Sequence, residues 1–387
     1  GAVPLLCNLD VLEGERLAIV ANDFAPLIEG SILVTCGVQR PRVEWDRPVV
    51  VVEMGQPAHA QRATLWHEAL GQGTAEDADR LARSHPLAPA LIVRAAGAAR
   101  ARAAGRDMDI QDVYAGIRAV LDDRIGAWAR RVTVTQTWDD AVLPEEQVEQ
   151  IVELMARVRG RHTVYETWGF GPKVGKGLGV SALFSGPPGT GKTMVAGLIA
   201  RELGLELYQV DVSKVVSKWI GETEKNLAGL FDAAEAGHAI LLFDEADSLF
   251  GKRTEVKSSN DRYANLETNY LLQRLESFTG VCLLTSNHES NIDPAFQRRL
   301  GLHLRFELPD AEERARLWRA MMPASAPVAA DIRFEDLGRT FAMSGGYIKN
   351  AALRAAFVAA DRGEVITHAR LERAARVEYE GMGKLAA

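Results

Sequence analysis

Nine consecutive residues, Ser185-Gly186-Pro187-Pro188-Gly189-Thr190-Gly191-Lys192-Thr193, carry the chemistry of phosphate binding. Gly186, Gly191, Lys192 and Thr193 fall on the fixed places of G-x-x-x-x-G-K-[ST]. Glycines there let backbone N–H groups turn toward phosphate oxygens. Lys192 adds a compact charge for the outer phosphates, and the Thr193 hydroxyl is a candidate Mg²⁺ ligand. A second constellation follows 51 residues after Thr193, where the apolar run Ala239–Phe243 ends in Asp244-Glu245-Ala246-Asp247. Asp244 is the second candidate metal ligand, and Glu245 the candidate base that orients and deprotonates a water. The chemistry these residues fit is hydrolysis of a nucleoside triphosphate.

The elements around them are those that such chemistry needs. Val180–Phe184 reads as a short buried strand, and Met194–Leu203 as a helix that stops at Gly204. The helix points its positive end at the same anion. Ala239–Phe243 is apolar throughout, as a parallel strand buried on both faces requires, and its acids lie at the carboxyl end, where open α/β sheets bind ligands. Leu207–Val212 and Val281–Ser286 read as further strands, and Asn287 ends the latter with an amide able to reach the outer phosphate or the attacking water. Asp293–Arg299 reads as a short helix carrying Arg298 and Arg299, either a charge clamp for a phosphoryl group in transfer or a solvated helix end. Lys218-Trp219-Ile220-Gly221 places a tryptophan at a loop–helix junction, which on its own fits a buried anchor. Trp168 and Phe170 precede the phosphate loop and fit either an adenine contact or the core. From Pro309 onward the pattern is helical, over 311–322, 334–341, 344–360 and 367–379. Gly345 and Gly346 allow close approach to a nucleotide, which places Gly346 with 186–194 and Asp244 in the candidate ATP-binding set.

The chain of 387 residues has room for two or three domains. A formal charge of −7 argues against a broad nucleic-acid footprint. Cys7, Cys36 and Cys282 are few and scattered, and read as small buried residues in a reducing compartment. His67-Glu68 has Gly71 where a zinc-protease helix needs its second histidine, and reads as surface helix. With no apolar run of membrane-span length and no visible signal peptide, the expectation is a cytoplasmic protein.

An internal repeat organises the rest. Pro57, Arg62, Leu65 and Trp66 recur as Pro309, Arg314, Leu317 and Trp318 at one offset of 252. Leu81, Arg83, Ile92 and Ala95 recur as Leu337, Arg339, Ile348 and Ala351 at 256, and Ile32–Thr35 recurs as Cys282–Thr285 at 250. Such drift is what small loop insertions produce. Where the second copy has Asp244 and Glu245, the first has Asn8 and Leu9. The first copy therefore reads as the back half of a module that has lost its chemistry, with the front of that module lying outside this sequence.

Together these residues resemble the AAA+ ATPases, specifically the branch with tandem modules and an aromatic pore loop. Gly186–Thr193 is similar to Walker A, Ile240–Glu245 to Walker B, Asn287 to sensor 1, and Arg298/Arg299 to the arginine-finger pair that acts on a neighbouring subunit. Lys218, Trp219, Ile220 and Gly221 match the family's substrate-gripping loop. Ser344-Gly345-Gly346 matches the sensor-2 region without an evident arginine, Lys349 being the nearby cation. More narrowly, the stretches 221–226, 250–253 and 261–265 look like bacterial ATPases encoded beside extracellular contractile injection systems. The resemblance implies an α/β P-loop fold: a parallel sheet flanked by helices plus a C-terminal helical lid, preceded by a partial degenerate module. Its divisions are 1–131, 132–308 and 309–387. It implies ATP and Mg²⁺ as cofactors, a homo-hexamer, and remodelling or threading of a protein substrate through a central pore. The alternative is a nucleotide-controlled assembly or scaffold factor that turns over slowly and threads nothing. No nucleic-acid partner is expected.

Overall fold

The computed structural model describes residues 3–9, 12, 15–36, 44–52, 54–55, 57–71, 75–175, 177–215, 222–248, 269–288 and 292–384. Lys218, Trp219, Ile220 and Gly221 lie outside the described residues, as do 250–253 and 261–265. The chain divides into two compact units, Gly1–Gln56 and Pro57–Ala387.

The smaller unit holds a parallel pair of two-residue strands, β1 (Leu5–Leu6) and β2 (Leu33–Val34). Arg47 closes the turn before β2, donating to the carbonyls of Ala25, Ile28 and Gly30. Cys7 and Cys36 are exposed here, against the expectation of buried thiols. Two strands are too few to cover both of their faces, and only Cys282, in the large sheet, is buried.

The larger unit opens with four helices: α1 (His59–Leu70), α2 (Ala75–Ser84), α3 (Pro89–Ala103) and α4 (Ile110–Ile125). His67 and Glu68 are exposed on α1, as surface-helix residues should be. A six-stranded sheet follows in the order β3-β5-β6-β7-β4-β8. Its strands are β3 (Ala129–Val132), β4 (Val180–Ser185), β5 (Leu207–Val210), β6 (Ile240–Phe243), β7 (Val281–Ser286) and β8 (Leu302–Arg305). All pair in parallel except β3, which runs antiparallel along β5 at the edge. β6 and β7 are buried at every position. Their side chains alternate between two cores: Ile240 and Leu242 face Ile151 and Leu154 of α5 (Glu145–His162) and Val195 and Ile199 of α6 (Lys192–Leu203). Leu241 and Phe243 face the opposite core, which contains Phe231 of α7 (Glu222–Gly237) and the buried side of α3 and α4.

The first four helices are thus welded to the sheet. Tyr208 donates to Asp122 Oδ1 at 2.7 Å, and the Ala88 N–H donates to the Ala236 carbonyl at 3.1 Å. A Cβ on Gly237 would lie 2.2 Å from Leu121 Cδ2, so α4 packs closely here and a side chain at 237 would make Leu121 shift.

The chain ends in four more helices: α8 (Ala311–Ala320), α9 (Phe334–Thr340), α10 (Gly345–Asp361) and α11 (His368–Gly381). They close on their own core around Trp318, Phe341 and Ile348. The two helical groups match at the repeated residues. Trp66 and Trp318 are fully buried, and neither indole N–H donates a hydrogen bond among the described residues. Arg62 donates to the Pro57 carbonyl and Arg314 to the Pro309 carbonyl. Leu81, Ile92 and Ala95 are as deeply buried as Leu337, Ile348 and Ala351.

Candidate functional site

β4 delivers the chain into the phosphate loop at the carboxyl edge of the sheet. Gly186, Gly189 and Gly191 take φ of 142°, 77° and 93°, values that side chains disfavour. Gly186 also has no room for a Cβ, which would fall 1.9 Å from the Phe306 carbonyl oxygen. Thr190 folds back, its hydroxyl donating to the Pro187 carbonyl at 2.9 Å. α6 then starts at Lys192, two residues earlier than the sequence pattern suggests, so its free N–H groups belong to the loop itself. Thr193 and Met194 occupy that first turn, partly buried.

Lys192 is the centre of the site. Only 7% of it is exposed, and its Nζ donates to the carbonyls of Gly186 (2.6 Å) and Pro187 (2.8 Å) and to Asn287 Oδ1 (2.9 Å). Three oxygens around a buried ammonium are the coordination that phosphate oxygens supply, and the residues therefore fit a nucleotide phosphate. Burial pulls the lysine pKa down, with Asp244 and Asp247 opposing it. The structure thus joins Asn287, at the end of β7, to the phosphate loop.

Asp244 is partly buried and fully engaged: Gln209 Nε2 donates to its Oδ2 at 2.9 Å, and the Thr285 hydroxyl donates to Oδ1. Glu245 is exposed beside it at φ 53°, an uncommon left-handed backbone for a glutamate, and its N–H donates to Thr285 Oγ1 at 3.2 Å. The strained turn directs one acid inward and the next outward. Asp247 accepts from Ser286 Oγ at 3.2 Å. Gln209, Thr285 and Ser286 hold these acids, and the motifs do not name them. Their signal is a polar side chain inside or beside a buried strand, which demands a partner.

The last helical group reaches this site through α10. The Gly346 N–H donates to the Gly189 carbonyl at 2.9 Å, and a Cβ on Gly346 would lie 3.0 Å from Gly189 Cα. Ser344, the N-cap of α10, is 2% exposed with its hydroxyl unpartnered among the described residues.

Arg298 and Arg299 are elsewhere. They follow the short helix Pro294–Gln297 and precede β8, at the amino end of the sheet strands. Gly301 is hydrogen-bonded to Ser181, five residues before Gly186, which at about 3.3 Å per residue is roughly 16 Å along β4. The pair is not brought to its own phosphate loop. A cavity of about 320 Å³ lies at this same end, walled by Tyr165, Glu276, Phe278 and Arg299 among others, and it too is remote from the phosphate loop. Trp168 and Phe170 are 66% and 50% exposed, so neither is a core aromatic. Among the described residues, no group of three histidines, cysteines or carboxylates could hold a metal, and no helix is long and apolar enough to cross a membrane.

A parallel sheet with a phosphate loop after one strand and paired acids after another defines a P-loop ATPase module. Residues 182–308 match the family described as "ATPase family associated with various cellular activities (AAA)", and this segment is an AAA ATPase domain. The chain is 31% identical over 247 residues to the ATP-dependent zinc metalloprotease FtsH 3 of Sphaerobacter thermophilus, covering 62% of this chain and 48% of that protein. It is 35% identical over 144 residues to Cell division protein C of Sulfolobus acidocaldarius, 35% of this chain and 38% of that one. It is 28% identical over 252 residues to 26S proteasome regulatory subunit 6A of Saccharomyces cerevisiae, 63% and 56% of the two chains. The chain thus spans about half the length of these relatives, or less.

Proposed function

We propose that this chain is the motor subunit of a homo-hexameric ring that hydrolyses ATP and uses turnover to draw on a protein segment gripped by Trp219. The observation that carries the reading is the separation of Arg298 and Arg299 from their own phosphate loop. Two adjacent arginines at the far end of β4 serve a γ-phosphate only if it belongs to a neighbouring copy. Lys192 and Asn287 bind the outer phosphates, Thr193 and Asp244 hold Mg²⁺, and Glu245 orients the water. Bound Mg²⁺ would neutralise charge developing on the phosphoryl oxygens.

The domain division is proposed on the same footing. Residues 1–131 are a degenerate module that packs and assembles, 132–308 the ATPase subdomain and 309–387 its lid. The matched Trp66 and Trp318, and the matched Arg62 and Arg314 bonds, support it. The proposed client is an assembly of the contractile-injection kind, on the sequence resemblance alone.

The first test is mass in solution of Glu245→Gln, which keeps nucleotide but stops hydrolysis, with and without ATP. A hexamer formed with ATP is the expected result. A monomer under both conditions would remove the arginine pair from the active site. Trp219→Ala is expected to hydrolyse ATP near the native rate while losing substrate remodelling. Hydrolysis lost as deeply as in Glu245→Gln would count against a gripping role. The welding of α4 to the sheet through Asp122 and Leu121 favours a second reading, a nucleotide-controlled assembly factor. That reading expects rings with slow turnover and indifference to Trp219.

A further inference from the structure

The two adjacent arginines are not in equivalent surroundings. The turn that carries them is pinned from below: the Gly301 N–H donates to both the carbonyl and the hydroxyl of Ser181, Arg157 Nη1 donates to the Gly301 carbonyl at 3.1 Å, and the His303 ring meets the Gln297 carbonyl at 2.9 Å. On this fixed turn Arg299 points back into its own subunit. Its Nε is ion-paired with Glu276, at the end of the helical stretch 269–277, and the two side chains share a wall of the cavity at the amino end of the sheet. Glu276 is itself held in register, because its carbonyl accepts the Gly177 N–H at 3.1 Å, from the segment that leads into β4. Arg298, one residue earlier, is exposed as Arg299 is, but has no carboxylate partner among the described residues.

We infer that the two arginines divide the work. Arg298 is the residue that meets the phosphoryl group of the neighbouring copy. Arg299, locked to Glu276, is a positioning residue that fixes the turn and so the direction in which Arg298 leaves it. The inference rests on the proposed reading that the pair acts on an adjacent subunit. The physical reason is the cost of using one guanidinium twice. An arginine that forms a charge-assisted bond at its Nε has its fork oriented by that partner. Withdrawing it to reach across an interface would give up an ion pair that Arg298 does not have to break, even though both partners are partly exposed and the pair is a surface one. The Glu276–Arg299 pair also ties the arginine turn to the chain entering β4, and hence to the strand that ends in the subunit's own phosphate loop.

The test compares steady-state hydrolysis by Arg298→Ala, Arg299→Ala, Glu276→Gln and the double variant Arg299→Ala/Glu276→Gln, all in the full chain under conditions where the ring forms. Arg298→Ala is expected to lower kcat by on the order of 10³, the scale of an arginine acting on a phosphoryl transition state, with KM little changed. Arg299→Ala and Glu276→Gln are each expected to lower kcat by about tenfold through misplacement, and the double variant by no more than either single change. The exchange Glu276→Arg/Arg299→Glu is expected to recover most of that tenfold, which an adventitious contact would not do. Affinity for a fluorescent ATP analogue, expected to be native in all of them, shows that each variant has folded. Arg299→Ala falling as far as Arg298→Ala while Glu276→Gln stays native would overturn the division of roles. Native hydrolysis in both Arg298→Ala and Arg299→Ala would instead sink the neighbouring-subunit reading itself.

Discussion

Asp244 shows how a site residue depends on neighbours that no motif names. Its carboxylate is held on one oxygen by Gln209 and on the other by Thr285, which is 1% exposed within β7. Thr285 also receives the N–H of Glu245, so one buried hydroxyl sets both acids. Partners of this kind fix a metal-holding carboxylate, and their loss typically costs 10- to 100-fold in metal affinity. Thr285→Val keeps the shape of the strand and removes the hydroxyl. The expected outcome is a Mg²⁺ concentration for half-maximal hydrolysis raised by about tenfold, with ATP binding in the absence of Mg²⁺ unchanged. A Mg²⁺ titration that overlays the native one would show that Asp244 needs no such support. Lys192 follows the same logic from the other side. Burial draws its pKa down while Asp244 and Asp247 oppose the shift, and Asn287 holds its ammonium in place through a hydrogen bond.

At the scale of elements, α10 meets the phosphate loop directly, so the proposed lid would feel what that loop binds. Gly189 sits at φ 77°, where a Cβ would stand 2.6 Å from Ser344 Oγ. Gly189→Ala therefore combines backbone strain of about 1–2 kcal/mol with a push on the lid. ATP affinity is expected to fall by at least about tenfold, since about 1.4 kcal/mol corresponds to that factor. Adding Ser344→Gly removes the atom that the new methyl meets. Ser344 makes no capping bond with its side chain, so that second change costs only a few tenths of a kcal/mol by itself. The double variant is expected to regain part of the lost affinity in an ATP titration. No recovery would mean that strain in the loop, and not the lid, carries the effect. What was legible in the sequence follows the same division. β6 and β7 stood out because strands buried on both faces are continuously apolar, and β7 was bounded correctly at Val281–Ser286. The predicted strand Leu207–Val212 ends at Val210 instead, because Asp211 caps a following turn through Ser213. β3, reading Ala-Arg-Arg-Val, and β8, reading Leu-His-Leu-Arg, were not legible: edge strands owe their pairing to the neighbour and not to their own pattern. Contacts such as Gly189 to Gly346 join residues far apart in the chain and leave no local trace beyond the glycines themselves.

At the scale of the whole larger unit, the first helical group and the ATPase sheet meet where two histidines lie close together. His85, buried at the end of α2, is pushed down to about 4 by burial and by Arg118. His238, in the turn from α7 to β6 at φ 51°, is also pushed down to about 4, first by burial, then by Arg161, His85 and Arg62. Both rings are therefore neutral in the fold at neutral pH, with Ser84 Oγ on His85 Nδ1 and Tyr114 against its ring. In the unfolded chain each protonates near 6.5, so as pH falls below that value the unfolded state takes up protons that the folded state refuses. Stability is thus full above about pH 6.5, declines between there and about 4, and levels off once the folded rings protonate as well. A tenfold bias in protonation is worth about 1.4 kcal/mol, so two such rings remove several kcal/mol across that window. Urea unfolding midpoints measured from pH 7.5 to 5, above the range where most carboxylates titrate, are expected to fall steadily. His85→Gln/His238→Asn is expected to flatten the slope, with asparagine chosen for position 238 because it tolerates a left-handed backbone. An equally steep decline in that double variant would place the acid sensitivity elsewhere. A flattened one would mean that the contact between the first helical group and the sheet is held by groups that must stay uncharged among Arg62, Arg118 and Arg161.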